Sequence, residues 1–405
     1  MRGTGTVEEP RLTVLRHRPG AGRRRRSVAL LAGLLALLLT GTGVLAAHGQ
    51  LLLPFGTVTV LKGRMGSKSE FFEDDEVRRI LLRHRIRLEI TNAGSRELAT
   101  EDVSPYDFVV TSGQPTGQMI TEGRGDRGEH SYVKHPFVSP LVLATYRSYA
   151  RALERAQVAT PQQDGGSPTL YYHLDLAGLL RRISERETWN DLDVRAYGPA
   201  NGNAVAVHTS DVCHSNSAGT FLAQVAFTLN GNARPETVAD ADRLAAVAGP
   251  LLAAQGMPGV DVFRPYSTEE GRAIAPVVAV YEHQYLAYQL KYKAVTGHPD
   301  GERVLLYPSN QFMTRPQVIS LRDRADPLVD LVAGDPGLRA RAIALGLRPP
   351  TGPGDRGLNG YLADQGLPVP APAPDDTRTT MPELPVLERL ISAAGGCPPV
   401  PPPAP

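Results

Sequence analysis

The stretch TVTVLKGRMGSKSEFFEDDEVRRILLRH, from Thr57 to His84, contains the pattern that decides the fold. Its first part, Thr57 to Gly63, predicts a short buried strand. Its second part places four apolar residues on one face of a helix: Phe72, Val77, Ile80 and Leu81. A turn rich in Gly, Ser and Lys joins the two parts. A strand that leads through such a turn into a helix is the repeating unit of an α/β fold.

The same unit recurs along the chain. Residues 86–91 and 106–113 predict two further strands, and residues 140–156 predict a strand followed by a helix. Short β-like runs alternate with helical runs from about residue 55 to about residue 347, and no repeat of solenoid period occurs. This order predicts an α/β fold in which each sheet is mainly parallel and covered by helices.

Composition narrows the class of protein. A chain of 405 residues with 41% hydrophobic residues can bury a large core in two domains or lobes. Its 43 Lys and Arg residues balance 42 Asp and Glu residues, so no basic excess indicates nucleic-acid binding. Cys213 and Cys397 are the two cysteines, which excludes a disulfide framework or a cysteine-based metal site. A bridge between them fits an oxidising exterior, and two unpaired thiols are the alternative.

The N-terminus predicts export. Residues 1–27 form a basic cytoplasmic N-terminus that includes Arg23 to Arg26, and residues 28–47 are uncharged and mostly Leu, Ala, Val and Gly. About 20 apolar residues span a bilayer, and the basic flank stays in the cytoplasm. Segment 28–50 is therefore a transmembrane anchor or a cleaved signal peptide. The remainder faces outward as a single-pass membrane protein in the first case and is secreted in the second.

The C-terminal segment 366–405 is rich in proline, which predicts an extended, poorly packed tail. Within it, PELPVLERLISAAGG at residues 382–396 predicts one short helix.

In sheets of the predicted kind, ligands bind beyond the carboxyl ends of the strands. The first three predicted strands each lead into a turn that has Ser or Thr beside Gly. The candidate ligand residues in these turns are Gly66, Ser67 and Lys68, then Ser95 and Arg96, then Thr111 and Ser112. Helix capping and turn formation explain any one of these turns alone. Three in succession favour a site for an oxyanion or another small polar molecule.

A fourth candidate is the stretch HTSDVCHSNSAGTFLAQVAF at residues 208–227. It predicts a helix that begins near Ser215 or Ser217, so that Ser215, Asn216 and Ser217 reach a ligand at the helix N-terminus. Capping without a ligand is the alternative. The flanks of Ser215 lack a GxSxG elbow, and His208 and His214 lack the HExxH spacing. The sequence therefore predicts no enzyme, no catalytic residue, no metal site and no cofactor.

Glu282 follows the apolar run at residues 275–281, where a strand is predicted to meet a helix. Its carboxylate is a candidate to accept hydrogen bonds from the ligand. In the ligand site an ionised carboxylate would disfavour a simple anion, whereas Lys68 and Arg96 would favour one.

The order of segments resembles that of extracellular solute-binding proteins of the type 2 periplasmic-binding fold, a group that includes molybdate, sulfate and phosphate receptors. The segments that carry the resemblance lie between Thr57 and Pro349: KGRMGSKSEFF, YDFVVTSGQPTGQMI, HPFVSPLVLATY, SDVCHSNSAGTF, APVVAVYEHQYLAY, VLLYPSNQFMTRPQVISL and LRARAIALGLRP. The resemblance implies two α/β lobes that are joined by a hinge and close on a ligand. It also implies that Glu282 lies near this hinge, so that stabilisation of the hinge is the second possible role of its carboxylate. It places the binding domain at 55–350, with a first lobe at about 57–137 and 300–349 and a second lobe at about 138–299.

The function implied is capture of a small polar or anionic ligand outside the cytoplasm, as the receptor of an ABC-type permease. The alternative is a membrane-anchored sensory or protein-interaction module that keeps the fold without transport. The absence of any cysteine before Cys213 excludes a lipid-anchored form and favours that alternative.

Overall fold

Two β-sheets organise the protein in a computed structural model that describes residues 57–66, 69–94, 96–162, 169–253, 261–371 and 381–397. Both sheets lie in one compact unit that begins at Val58. The predicted membrane or signal segment, residues 28–50, lies outside the described residues. Within those residues, no helix combines the length and the apolar character that crossing a bilayer requires.

The first part of the chain follows the predicted strand and helix order. Its elements are β1 (Thr59–Met65), α1 (Ser69–Glu73), α2 (Asp75–Arg83), β2 (Ile86–Asn92), α3 (Glu97–Thr100), β3 (Phe108–Thr111), α4 (Gln114–Asp126) and β4 (Tyr132–Lys134). The one helix predicted after β1 is divided into α1 and α2. The division occurs at Asp74, because its carboxylate accepts hydrogen bonds from the N–H groups of Glu76 and Val77 and so starts a new helix.

The middle of the chain contains β5 (Ser139–Tyr146), α5 (Arg147–Arg155), β6 (Ala159–Pro161), β7 (Tyr171–Leu174), α6 (Leu176–Ser184), α7 (Asn216–Leu229), α8 (Val238–Ala253), α9 (Phe263–Tyr266), α10 (Gly271–Ile274), β8 (Val277–Tyr281) and α11 (Glu282–Thr296). Every residue of β5 is buried, as its continuous apolar run predicts for a strand covered on both faces.

The last part contains β9 (Arg303–Pro308), β10 (Met313–Thr314), β11 (Gln317–Ser320), α12 (Asp326–Gly334), α13 (Pro336–Ala344), α14 (Gly357–Asp364) and α15 (Leu384–Gly395). Short 3₁₀ turns occur at Val194–Ala196 and Asp323–Ala325.

The first sheet has the strand order β2-β1-β3-β11-β4, and with its helices we call it the first lobe. β1 pairs in parallel with β2 and β3, whereas β11 is antiparallel to β3 and β4. Its core includes Leu61, Phe72, Phe108, Val318 and Leu328.

The second sheet has the order β10-β5-β9-β7-β6, with β8 also paired to β5, and with its helices we call it the second lobe. Only β7 and β9 pair in parallel among its named strands. Its core includes Trp189, Phe221, Tyr285, Leu305 and Leu390.

The predicted fold class is confirmed, since two helix-covered sheets form a two-lobed α/β fold. The pairing within the sheets is mixed rather than mainly parallel. The physical reason is that β5 and β11 each enter their sheet directly from the other lobe and run against their neighbours.

In the part of the chain that the structure describes, the backbone passes between the lobes at three places. It crosses between β4 and β5, returns between β10 and β11, and crosses again after Arg348, because Leu358 and Leu362 of α14 belong to the second-lobe core. Strand β9 thus belongs to the second sheet, although residues 300–349 were expected to form part of the first lobe.

The C-terminal segment is packed where it is described, contrary to the prediction of a poorly packed tail. The predicted short helix is α15, and it buries Val386, Leu387, Leu390 and Ile391 against the second lobe. It approaches α8 closely: a Cβ on Gly249 would lie 3.0 Å from the carbonyl oxygen of Ala394. The apolar residues of α15 recur at helical spacing, so they form one face that packs against the second lobe although the surrounding sequence is rich in proline.

Candidate functional site

The start of α4 in the first lobe meets the start of α7 in the second lobe. A Cβ placed on Gly113, the residue before α4, would lie only 2.6 Å from Nδ2 of Asn216, the first residue of α7. A larger residue at position 113 would therefore require the Asn216 side chain to move, because a carbon and a nitrogen that are not bonded do not come so close. The contact brings together the predicted ligand turns of the two lobes.

The first-lobe side of this contact is formed by the ends of the neighbouring strands β1 and β3. Thr111 and Ser112 are fully buried, and the Thr111 hydroxyl donates to the carbonyl of Gly113 over 3.0 Å. Gly66 is also buried, and its N–H donates to the carbonyl of Val110 over 2.9 Å. These three predicted residues therefore lie at one edge of the first sheet. The predicted residues Ser67, Lys68 and Ser95 lie outside the described residues.

The second-lobe side is formed by the first residues of α7. Ser215 is the N-cap residue, but its hydroxyl pairs with that of Ser217 over 2.8 Å and does not cap the helix. No side chain caps α7, and none caps α4. Each helix start carries a partial positive charge of about half a unit. Two such starts in contact form a region that favours negative charge.

Asn216 also contacts the end of strand β8. Its Nδ2 donates to the hydroxyl of Tyr281 over 3.1 Å, and both residues are buried. Burial raises the pKa of Tyr281 to about 12, and the hydrogen bond from Asn216 acts in the opposite sense. The Tyr281 hydroxyl therefore stays protonated at neutral pH.

Glu282 is bound within the protein rather than presented to a ligand. Its carboxylate accepts hydrogen bonds from Arg348 over 2.6 and 2.9 Å and from the Tyr307 hydroxyl over 2.8 Å. Burial alone would lower the pKa of Arg348, but the charge and hydrogen bonds of Glu282 raise it. Val138 and Arg348 also pair through their backbones where the chain changes lobe. This geometry is compatible with the second predicted role of Glu282, stabilisation of a hinge, which stays a prediction.

Arg96 is likewise paired with a carboxylate. Its guanidinium donates to both oxygens of Glu388 in α15, over 2.8 and 2.5 Å. Its backbone N–H donates to the carbonyl of His214 over 3.4 Å, so it lies close to the start of α7. The positive charge of Arg96, which was predicted to favour an anion, is thus paired with the carboxylate of Glu388.

Three residues with potentially reactive side chains precede α7: His208, Cys213 and His214. Cys213 forms a disulfide with Cys397, so it has no free thiol to serve as a nucleophile. His214 is exposed beside Asp211, and His208 takes part in backbone hydrogen bonds with Val277 and Ala279. Cys213 and His214 therefore do not form a thiol–imidazole pair.

A cavity of about 230 Å³ is lined by residues of both lobes. Its lining is mostly apolar and comprises Glu70, Phe71, Phe263, His283, Gln284, Ala287, Leu345 and Leu347. None of the predicted ligand residues that the structure describes lines it.

In the described part of the chain, one group of side chains has the composition of a metal site: His130, Asp323 and Asp326. Nδ1 of His130 faces Asp323 at 3.2 Å, and Nε2 faces Asp326 at 2.9 Å. Both ring nitrogens therefore face carboxylates, which is the geometry of ion pairs. A metal ion would bind through the lone pair of a ring nitrogen, and here each ring nitrogen is directed at a carboxylate oxygen.

Three contact residues of the cleft were not singled out as ligand or hinge residues from the sequence: Gly113, Arg348 and Glu388. Gly113 had a usable signal, because it stands in the turn after β3 beside two predicted residues. Arg348 and Glu388 had none, since their partners are 66 and 292 positions away.

Comparisons with known proteins find similarity only among solved structures, because no family model and no curated protein matches the chain. The sulfate-binding protein SubI from Mycobacterium tuberculosis H37Rv is 15% identical with a TM-score of 0.42, over 78% of this chain and 93% of that chain. The periplasmic binding protein AfuA from Actinobacillus pleuropneumoniae is 11% identical with a TM-score of 0.46, over 83% and 94%. The periplasmic molybdate-binding protein of Azotobacter vinelandii is 14% identical with a TM-score of 0.40, over 72% and 100%. At such identities the likeness concerns the fold, and the ligands named belong to those proteins.

Proposed function

We propose that this protein is an exported, non-enzymatic solute-binding protein that holds a small polar or anionic ligand between its two lobes. The observation that carries the proposal is the meeting of two helix starts from different lobes, neither capped by a side chain, at Gly113 and Asn216. Unpaired helix N–H groups and their partial positive charges attract anions and other acceptors.

Buried polar side chains around this contact support the same ligand class. The hydroxyls of Thr111 and Tyr281 and the amide of Asn216 contain both hydrogen-bond donors and hydrogen-bond acceptors. Because these groups come from both lobes, a ligand among them would be held only when the lobes are closed.

The direct contact of Gly113 with Asn216 implies that the lobes must open before a ligand enters. We infer that binding is coupled to a hinge motion at the crossings near Val138 and Arg348. In the transport form of the proposal, the closed protein delivers its ligand to an ABC-type permease at the outer face of the membrane, where residues 28–50 either anchor it or are removed.

A second candidate function rests on the same close contact. If the lobes stay closed without a ligand, the protein is a membrane-anchored sensory or interaction module that keeps the fold. Ligand uptake by cells with and without the gene separates the two, because only a transport receptor makes uptake dependent on the protein.

The binding proposal is tested by thermal unfolding of the full chain with sulfate, molybdate, phosphate, sugars and amino acids. A ligand at 100 times its dissociation constant adds about 2.7 kcal/mol of stability. We expect one class of compound to raise the melting temperature of the wild type, and Asn216→Ala to abolish that shift. Thr228→Ala is the matched control, because it removes another buried polar group at the far end of α7.

The proposal fails if no compound raises the melting temperature. It fails also if the shift persists unchanged in Asn216→Ala, because the ligand would then bind elsewhere.

A further inference from the structure

Helix α15 contacts both lobes. Its apolar face, with Leu387 and Leu390, is part of the second-lobe core. Its polar face includes Glu388, which forms the two hydrogen bonds with Arg96 at the start of α3 in the first lobe. The helix therefore bridges the two bodies that must separate when the cleft opens.

The Arg96–Glu388 ion pair is suited to hold the two lobes together. The two side chains are only 12% and 17% exposed, so solvent and salt screen their attraction weakly. The paired, charge-assisted geometry is the strong and directional form of an Arg–carboxylate contact. Separation of the lobes would leave both charges without their partner.

A disulfide attaches the C-terminal end of α15 covalently to the second lobe. Cys397 follows α15 and forms a disulfide with Cys213, two positions before the N-cap residue of α7. The carbonyl of His214, beside Cys213, accepts a hydrogen bond from the Arg96 N–H. The disulfide and the ion pair thus lie on the same margin of the cleft, one attached within the second lobe and one reaching across to the first.

We propose that α15 is a clasp that limits the opening of the two lobes, with the Arg96–Glu388 ion pair as its releasable contact and the Cys213–Cys397 disulfide as its fixed end. This inference rests on the proposed hinge motion but not on the identity of the ligand, because the clasp sets how far and how often the cleft opens whatever binds there.

The test measures the distance between the lobes in the full chain without added ligand. Spin labels carried on noncanonical residues at the exposed positions Arg78 in the first lobe and Val295 in the second leave the disulfide intact. Pulsed electron paramagnetic resonance then reports the distribution of lobe separations. We compare the wild type with Glu388→Gln.

We expect Glu388→Gln to increase the population at longer separations about tenfold, the change that loss of one charge-assisted hydrogen bond produces. Arg389→Gln is the matched control, because Arg389 lies on the same helix but pairs with Asp242 in the second lobe. We expect its distance distribution to equal that of the wild type. The charge exchange Arg96→Glu with Glu388→Arg should restore the wild-type distribution.

An unchanged distribution in Glu388→Gln overturns the proposal. Equal opening in Glu388→Gln and Arg389→Gln also overturns it, because both ion pairs would then act only by keeping α15 attached. Failure of the charge exchange to restore closure would mean that the opening does not depend on this pair.

Discussion

The carboxylate of Glu282 is buried, with Glu282 only 1% exposed, and it lies at the point where the chain changes lobe. An isolated buried charge is strongly unfavourable, and here Arg348 and Tyr307 compensate it with three hydrogen bonds. Burial first, and then the charge of Glu282, raise the pKa of Tyr307, so its hydroxyl remains a donor. The buried carboxylate of Glu282 is therefore stable at the hinge only when both Arg348 and Tyr307 bond to it.

We expect Arg348→Met to lower the free energy of unfolding by about 3–5 kcal/mol, because it leaves Glu282 buried without its counter-charge. Changing both residues, Glu282→Met with Arg348→Met, should recover most of the loss. Urea denaturation of each variant measures these differences.

The surface pair Arg272–Glu302 is the control, since Glu302 is 64% exposed. Glu302→Gln should cost less than about 1 kcal/mol. A similar small cost for Arg348→Met would show that Glu282 is solvated or changes partner, contrary to the structure.

At the scale of residues, the sequence predicts the position of a side chain where that position follows from local chain geometry. Thr111, Ser112 and Asn216 could be selected because strand exits and helix starts are recognisable from periodicity. The ionic partners of Arg96 and Glu282 could not be selected, because tertiary packing alone brings together side chains 292 and 66 positions apart.

At the scale of elements, Asp74 joins the start of α2 to helix α13. Its carboxylate caps α2 and also accepts two hydrogen bonds from Arg341 of α13, over 2.8 and 2.6 Å. The Arg341 contact and the helix N–H groups lower the pKa of Asp74 below its usual value, despite the opposing effect of burial. Protonation of this one group therefore weakens both a helix cap and a contact between helices.

The sign of the pH dependence follows from this lowered pKa. The unfolded chain binds the proton more readily, so the contribution is complete above about pH 4 and is lost as the pH falls through the folded-state value. We expect Asp74→Asn, which keeps a capping side chain, to cost about 1 kcal/mol at neutral pH, because Arg341 is partly exposed. The difference from the wild type should shrink as the pH falls through the folded-state pKa of Asp74.

Urea denaturation at several pH values measures this loss, with the exposed neighbour changed in Asp75→Asn as the control. The control should run parallel to the wild type. A constant difference between Asp74→Asn and the wild type across pH would contradict a role for the ionised carboxylate.

The elements themselves were predictable where hydrophobic periodicity is local, as in β1, β5 and α7. How they pair was less predictable. The assignment of β9 to the second sheet and the antiparallel course of β5 and β11 depend on contacts between strands far apart in sequence. The packing of α15 was missed because proline-rich flanks indicated an extended chain, although its four buried residues follow a helical period.

At the scale of the whole molecule, the disulfide closes a covalent loop that spans both lobes. The bond joins Cys213 to Cys397 across 184 positions, and the loop contains β11, α12 and α13 of the first lobe as well as β8, β9 and α15 of the second. The return of the chain to the first lobe and its final crossing to the second both lie within this loop. A bridge of this kind restricts the unfolded chain of both lobes, not of α15 alone.

Replacement of both cysteines, Cys213→Ser with Cys397→Ser, should therefore lower the free energy of unfolding by about 2–4 kcal/mol while the native fold is kept. The fold persists because Leu387, Leu390 and Ile391 still bury α15 against the second lobe. Urea denaturation should give a single transition at a lower midpoint, and the α15 amides should exchange hydrogen slowly under native conditions, as in the wild type. Rapid exchange confined to α15 would contradict this expectation, since it would show that the disulfide and not apolar packing holds the helix in place.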